Sequence, residues 1–523
     1  MRSYRTARWA GKIGSIVALG AVLVALGCGD LDVPNYTSAD ADLLDLNPDA
    51  SVVNLMSTGL LRGIRANHEG LETYGRNAYN LDPTEVRSVT VPLIGPIASG
   101  GYWPYADIRN CYSILSALDK IPDVAVSPTG MSAAQKEAVR GYVKTIMAYH
   151  YHTMLRVRYQ LGGFVDVNRD KFGPLAPWVN GKAVLDHIIA LLDSAQTHLT
   201  AGGTAFSFPL TRGFQTSQAG AVFNTPATFR LFNRALKARV EVYAATWDAT
   251  NATAHWNAAL TALGASFVNP AATPPVGPTP TVTLATLDIG PKHTYGPASA
   301  DGNNGLLDAT GRQRFIHPSL YNDAEIISIG PAPVPATRLD TIRDNRLVRK
   351  IIPLGTPNAA TGKIITKGIL GLSSSWRWNI AGTGSGTAGT GASDTPIPII
   401  RNEELILLRA EANIGLGNNA AAIRDLNIVR QNSGLLPLLA DPYVPTAAKP
   451  TILDALLYEK RYSLVYEFGH RWVDLARYGK LLTLPRDQAT HRIWPSLPFD
   501  IGECDFRRDQ NLAGCPLGGE GGI

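Results

Sequence analysis

The sequence predicts a mainly α-helical protein built from paired helices, with long loop-rich insertions and a few short strands. Three observations carry that reading: apolar residues recur at helical spacing in several long blocks, the blocks are joined by short glycine or asparagine turns, and stretches rich in proline, glycine and threonine separate them. The 523 residues are 45% hydrophobic and 17% charged, too apolar and too weakly charged for a disordered polymer, so the chain must bury a large core. Its 50 glycines and 35 prolines suit long loops and fall short of a low-complexity chain.

The N-terminus reads as an export signal. Arg2, Arg5, Arg8 and Lys12 precede an apolar run from Ile13 to Leu26, which has the length of a signal-peptide core and is too short to span a bilayer comfortably. The run ends in Ala25-Leu26-Gly27-Cys28, which resembles the lipobox of bacterial lipoproteins, with Ala25 standing where a lipobox usually carries leucine. Cys28 is then the expected acylated first residue of the mature chain; an ordinary signal peptide cleaved nearby is the alternative. Each buried acyl methylene contributes about 0.8 kcal/mol, so several chains on one cysteine make a stable anchor. The expected division is a leader over 1–27 and a single body over 28–523, itself made of an N-terminal helical part (28–265), a loop-rich insertion (266–395) and a C-terminal signature region (396–523). Taking the four leader cations from the 48 basic residues leaves 44 against 43 acidic ones, with no basic run, and this excludes the footprint of a nucleic-acid binder.

The elements follow in order. From Gln135 to Leu161, apolar residues at Val139, Tyr142, Val143, Ile146, Met147 and Met154 predict a mostly buried helix stopped by Gly162-Gly163. Leu231, Leu236, Val240 and Tyr243 predict a second over Thr228 to Trp247, followed by another around His255 to Leu260. A third pair runs from Glu403 through Ile414, turns at Gly415 to Asn419, and resumes from Ala420 to Val429 before Ser433-Gly434. Helix, short turn and alanine-rich helix is the unit of tetratricopeptide-type repeats, here with irregular spacing. Asn269 to Pro280 is proline-rich, Tyr295-Gly296-Pro297 marks a turn, and Ala381 to Ser393 is wholly Gly, Thr, Ser and Ala, so these are read as loops.

Cysteine usage agrees with export. Cys504 and Cys515 lie close together in a tail, and in an oxidising compartment they are expected to pair as a disulfide; zinc, which needs two further soft ligands, is the weaker reading. Cys111, inside a helical pattern, reads as a small buried hydrophobe.

The C-terminal third carries a family signature. Pro398-Ile399-Ile400-Arg401-Asn402-Glu403-Glu404-Leu405 through Ala412, then Asp425 to Arg430, then Tyr458-Glu459-Lys460-Arg461 through Gly469-His470-Arg471-Trp472-Val473-Asp474-Leu475, resemble the SusD/RagB family. Asp344-Asn345-Arg346-Leu347 stands where that family usually has Asp-Pro-Arg-Leu, and Pro495-Ser496-Leu497-Pro498 where it has a Pro-Ile-Pro-like turn. The resemblance implies a SusD-like fold. It also implies an outer-membrane lipoprotein at the surface of a Gram-negative-type bacterium, one that captures a glycan, or an oligopeptide, and caps a SusC-like TonB-dependent barrel without doing chemistry. Read physically, Thr451-Ile452-Leu453-Asp454 is a capping box, Gly469 is placed to end that helix, Glu467 and Arg471 are placed to form an ion pair, and Trp472 reads as a core plug.

Catalytic patterns are thin. His150 and His152 point to different helix faces, and there is no HExxH, GxxxxGK[ST] or GxSxG. Gly384 to Gly389 spells GxGxxG without a strand-turn-helix context, so no cofactor and no metal is expected. Dispersed carboxylates of a surface glycoside hydrolase, or a helical-repeat scaffold without a small ligand, remain the rival readings. Aromatic rings cover the apolar side of a sugar while Arg, Asn and Asp satisfy its hydroxyls. On that ground the expected ligand residues are Trp376, Arg377 and Trp378, an N-terminal loop group of Tyr74, Arg76, Asn77 and Tyr79, and behind them Tyr295 and Tyr321; local packing is the alternative for each. Alternation puts both indoles of Trp376 and Trp378 on one side of an extended segment, which suits a platform or a half-buried strand. Asp301-Gly302-Asn303-Asn304 is either a calcium loop or a turn.

Overall fold

The computed structural model describes residues 48–509 apart from 66–68, 82–85, 98–101, 125–129, 170–172, 217–218, 270–281, 297–300, 308–313, 327–342, 354–365, 368–371, 375 and 381–391. The leader, Cys28, Cys515, most of the proline-rich stretch and the GxGxxG tract lie outside the described residues.

Helix α1 (Ala50–Gly63) starts where the Asp49 side chain accepts from the Val52 amide, and α2 (Glu69–Tyr74) leads into strand β1 (Ala78–Tyr79). Then come α3 (Tyr105–Lys120) and α4 (Ala133–Leu155), the latter opened by a reciprocal capping box between Ser132 and Gln135. From Ala138 to Leu155 nearly every α4 residue is buried, so this helix is surrounded by protein on all sides. It ends six residues before the expected Leu161, where Arg156 and Arg158 turn their guanidinium groups inward onto the Phe468 and Tyr102 carbonyls; a separate 3-10 turn at Tyr159–Leu161 precedes Gly162.

Helix α5 (Gly181–Ala201), which the sequence reading passed over, is capped by Asn180 and packs along α4. Their approach is set by Gly141, where a Cβ would stand 2.6 Å from Leu199 Cγ and 2.9 Å from the Ala195 carbonyl oxygen. The expected pairs follow: α6 (Pro226–Trp247) with α7 (Ala252–Gly264), and, further on, α9 (Asn402–Gly415) with α10 (Asn419–Val429).

Between the pairs lie β2 (Lys292–His293), β3 (Phe315–Ile316), α8 (Asn345–Lys350), β4 (Ile351–Pro353), β5 (Trp376–Trp378) and β6 (Ile397–Pro398). One antiparallel sheet runs β1-β3-β5-β4, and β2 pairs with β6 in register Lys292 to Pro398 and His293 to Ile397. The chain closes with α11 (Ile452–Ser463), α12 (His470–Arg477) and α13 (Ile501–Asp509). Cys504 is disulfide-bonded and Cys111 is buried as a free thiol.

The Thr451–Asp454 capping box forms as expected. Two other expectations are corrected. Helix α11 ends at Ser463, and Gly469, at φ +69, opens α12; a Cβ there would fall 2.4 Å from Leu71, so the close approach of α2 also requires glycine. Glu467 pairs with Arg401, not with Arg471: Arg401 Nε lies 2.9 Å from Glu467 Oε2, and the same guanidinium also pairs with Glu403. Arg401 precedes α9 and reaches back across the bundle, whereas Arg471 points away from Glu467 into a different cavity. Trp472 is buried, donating from Nε1 to the Trp494 carbonyl at 2.9 Å.

Removing Arg401 leaves buried Glu467 facing Lys350 at 4.0 Å and takes the guanidinium away from buried Glu403, so Arg401→Met is expected to cost about 3–5 kcal/mol, against about 1 kcal/mol for Thr451→Ala at the cap, both read from urea unfolding midpoints. Stability also falls on the acid side. Burial pushes His150 down to about 4 and His293 to about 3, so below their ordinary value of 6.5 the unfolded chain takes up protons that the folded one refuses. Burial raises Glu403 and Glu325, but the charges of Arg401 and of Arg430 outweigh it and hold both at about 2; their contribution is present above 4.5 and lost as pH falls toward 2. Glu72, raised to about 7 by burial, acts in the opposite sense between 4.5 and 7, and Glu467 and Asp425, also raised, act in that sense too, but burial also lowers His152, His187, His317, His470 and His491, so the histidines outnumber the raised acids. The urea midpoint is therefore expected to drop from pH 6.5 to 5 and more steeply below 4.

Candidate functional site

Tyr295 follows β2 and stands at the wall between two recesses. The first, of about 340 Å³, is lined by Tyr295 with Arg62, Arg65, Asp301, Asn304 and Tyr466 among others. The second, of about 410 Å³, shares Tyr295 and adds Arg212, Lys292, Asp394 and Thr395. Tyr295 is half-buried, and that burial pushes its phenol up to about 12, so it is a neutral hydroxyl at any physiological pH.

The local sequence explains why the walls hold their shape. Arg65, just beyond α1, sets its guanidinium 5.2 Å from the Tyr295 ring centre and grips Asp301 with two parallel hydrogen bonds, Nη1 to Oδ1 at 3.0 Å and Nη2 to Oδ2 at 2.7 Å. Those bonds hold the Asp301 carboxyl below its ordinary range. Both Asp301 oxygens are occupied by Arg65, and its amide closes a turn onto the Gly296 carbonyl at 3.1 Å, so the segment Asp301 to Asn304 is built as an arginine-held turn. Asn304 is buried and ties this turn to the strand-side segment, its amide donating to the Ser393 carbonyl at 2.8 Å and Nδ2 to the Thr395 carbonyl at 2.6 Å, while Oδ1 accepts from Leu306. A ring, a cation, a carboxylate and amides thus converge on one hollow, which is the set of groups that recognises a polyhydroxylated ligand.

The sequence-chosen residues are distributed differently. Trp376 and Trp378 share one side of β5, and that side is the core: each is 4% exposed. Tyr321 stacks on Trp376 at 4.9 Å between ring centres and 20° between planes, with Arg343 over the Tyr321 ring. Tyr466 packs on Trp378 at 4.4 Å, so Trp378 reaches the recess only through Tyr466. Arg377 is half-buried on the other side of the strand. Tyr74 ends α2, Arg76 and Asn77 lie in the turn that follows, and Tyr79 is on β1, all buried. Arg76 donates to the Thr73 and Arg492 carbonyls, Asn77 donates to Glu72 and accepts from Arg461, Tyr79 donates to Asp487, and Tyr74 packs on Trp472. These four brace the packing of β1; only Tyr295 of the sequence-chosen group lines the recesses.

Arg65 went unread, while Asn304 was named only as part of a calcium loop or turn and Tyr466 only as part of the signature. Tyr466 sits inside the signature and adopts φ +63, a strained backbone for a non-glycine residue, and no sequence pattern marks it.

Several solved structures share this fold. The chain is similar to a SusD-like protein of Bacteroides fragilis (16% identity, 84% of this chain and 88% of that one, TM-score 0.55). It is also similar to a laminarin-binding SusD-like protein (16%, 87% and 97%, TM-score 0.55) and to surface glycan-binding protein A of Bacteroides uniformis (16%, 88% and 98%, TM-score 0.57). At this identity they define a class, helix-pair proteins of SusD-like fold. No curated protein matches the chain in sequence. Residues 357–509 match the model of the SusD family, over a region that contains the signature from Pro398 to Leu475. Over residues 357–509 the chain carries a SusD/RagB family region, and its fold as a whole is SusD-like.

Replacing Arg65 by leucine removes the grip on Asp301. Hydrogen exchange is expected to accelerate at the Asp301, Asn304 and Leu306 amides while α4 stays protected, as read by mass spectrometry of peptides from each region.

Proposed function

We propose that this protein captures a glycan in the recesses on either side of Tyr295 and passes it to a SusC-like TonB-dependent barrel of the outer membrane, to which an acylated Cys28 tethers it. The observation that carries the reading is the Tyr295 ring backed by an immobilised Arg65–Asp301 pair, in a chain that carries a SusD/RagB family region. Such a ring covers the C–H face of a sugar, and the pre-set polar groups take up its hydroxyls without an ordering cost at the moment of binding. Relatives named for binding laminarin or surface glycans support the cargo class, with an oligopeptide as the other cargo to be assayed.

Binding without chemistry fits the acids present. Among the described residues the carboxylates lining the two recesses are Asp301 in the first and Asp394 in the second, and Arg65 keeps Asp301 ionised, without a proton to donate; glycoside cleavage needs a proton-donating acid opposite a second carboxylate. A tether in place of a span agrees with the described helices, none of which is long and apolar enough to cross a membrane.

Screening the mature protein against soluble glycans and oligopeptides is expected to yield a glycan that binds unchanged and uncleaved. Tyr295→Ala should weaken that binding at least about tenfold, a loss of about 1.4 kcal/mol, while Trp376→Phe leaves it within twofold. Purification of the lipidated protein in mild detergent is expected to bring down a large barrel. Release of shortened glycan would favour a hydrolase, and absence of both glycan binding and a barrel would favour a scaffold.

A further inference from the structure

A larger hollow lies elsewhere, between α11, α12 and the segments around Asp323 and Lys449, with a volume of about 560 Å³ and no lining residue shared with the Tyr295 recesses. Its walls are crowded with charge, and nearly all of it is matched. Arg461 pairs with Asp323 at 2.8 Å, Lys480 with Asp454 at 2.9 Å, and Lys449 with Glu325. Asp474 is matched by Lys460 at 2.8 Å and Arg477 at 2.6 Å.

Arg471 is the exception. Among the described residues its guanidinium has no hydrogen bond and no acid within ion-pair distance, and its Nε is out of reach of solvent without an acceptor. The acids that act on it from further away are Asp323, already held by Arg461, and Glu72. Glu72 accepts from Asn77 at 2.7 Å and from the Tyr466 amide at 2.9 Å, and burial lifts it to about 7, so near neutrality it supplies only part of a charge. Arg461 beside Arg471 adds repulsion. Arg471 is itself half-buried, so its closed-off Nε lacks an acceptor while the rest of the guanidinium opens onto the cavity, where an anion can reach it.

We infer that this cavity is a second ligand site, in which Arg471 anchors the carboxylate of a small monoanionic, hydroxyl-bearing molecule. One unmatched unit of positive charge calls for one unit of negative charge. Because Asp323, Glu325 and Asp454 already hold the other cations, the second negative charge that phosphate carries at pH 8 has no unmatched cation to meet. The same carboxylates, although paired, keep spare lone pairs for hydroxyl donors, and Leu457 and Leu475 offer apolar wall between them. The planar fork of arginine matches a carboxylate with two parallel hydrogen bonds. A sugar acid and the carboxylate end of a short peptide share this chemistry, and the assay separates them.

The test is calorimetry and thermal shift on the mature full-length protein with D-glucuronate, D-glucose, N-acetylglycine and inorganic phosphate as probes. Glucuronate is expected to bind and raise the melting temperature, glucose and phosphate to do neither, and Arg471→Gln to weaken glucuronate at least about tenfold, with Arg471→Lys losing less. Binding of N-acetylglycine in preference to glucuronate supports the arginine anchor and assigns peptide termini as the source. Folding is controlled separately. Ligand-free Arg471→Gln is expected to melt no lower than the parent, since it deletes an unmatched charge, whereas Arg461→Gln, which breaks a pair, melts lower. Absence of any carboxylate response, an equal response to glucose or phosphate, or glucuronate affinity unchanged in a folded Arg471→Gln would each overturn the assignment. Because Tyr295→Ala leaves this cavity intact, failure here and failure of glycan capture at Tyr295 are distinguishable.

Discussion

Helix α9 is held by charge. Arg401 just before it pairs with Glu403 and Glu467, Glu404 takes a two-pronged grip from Arg239 of α6, Arg409 holds Asp425 of α10, and Glu411 meets Lys460 of α11 and Arg477 of α12. Successive residues on one helix thus name the neighbour that each face must meet. Pairs like these give up as much in desolvation as they return in attraction, so their contribution to net stability over a well-packed apolar core is small. Their effect is on geometry: a wrong rotation of α9 would leave several buried charges unmatched at once, and that excludes it.

The recess depends on this hub. The segment between α11 and α12 carries Tyr466, and it is clasped at its start by Arg401, whose Nη2 donates to the Ser463 carbonyl at 2.7 Å, and by Lys350, which donates to the Tyr462 carbonyl at 2.9 Å. Glu72 accepts the Tyr466 amide at 2.9 Å and so sustains a backbone conformation that tyrosine seldom takes. Trp378 then backs Tyr466 from the sheet side. The signature region is therefore scaffolding for a site whose other walls come from α1 and from the loop after β2. That division fits a fold in which rigid helices present variable loops to ligands.

Much of this was legible. The helix pairs over Thr228 to Trp247 and Glu403 to Val429 were read within a few residues, because their apolar spacing and glycine or asparagine turns are local signals. Helix α5 was missed although Asn180 caps it, and the end of α4 was placed too late because nothing local tells a helix from a following 3-10 turn. The site was read less well. Aromatic residues near arginine were chosen by composition, and Trp376 and Trp378 proved to face the core, since period-two alternation states which residues share a side of a strand and leaves open which side is covered.

The sequence by itself determined the class of fold, the helix pairs named above, the Thr451 cap and the family signature, each of which rests on patterns of residue types along the chain. Only the tertiary structure decided the charge partners and the cavities. Glu467 chose Arg401 across 66 residues over Arg471 four positions away, and Arg65 met Asp301 across 236. An ion pair depends on where two side chains end in space and on what water is excluded around them, and neither quantity is written in the spacing along the chain.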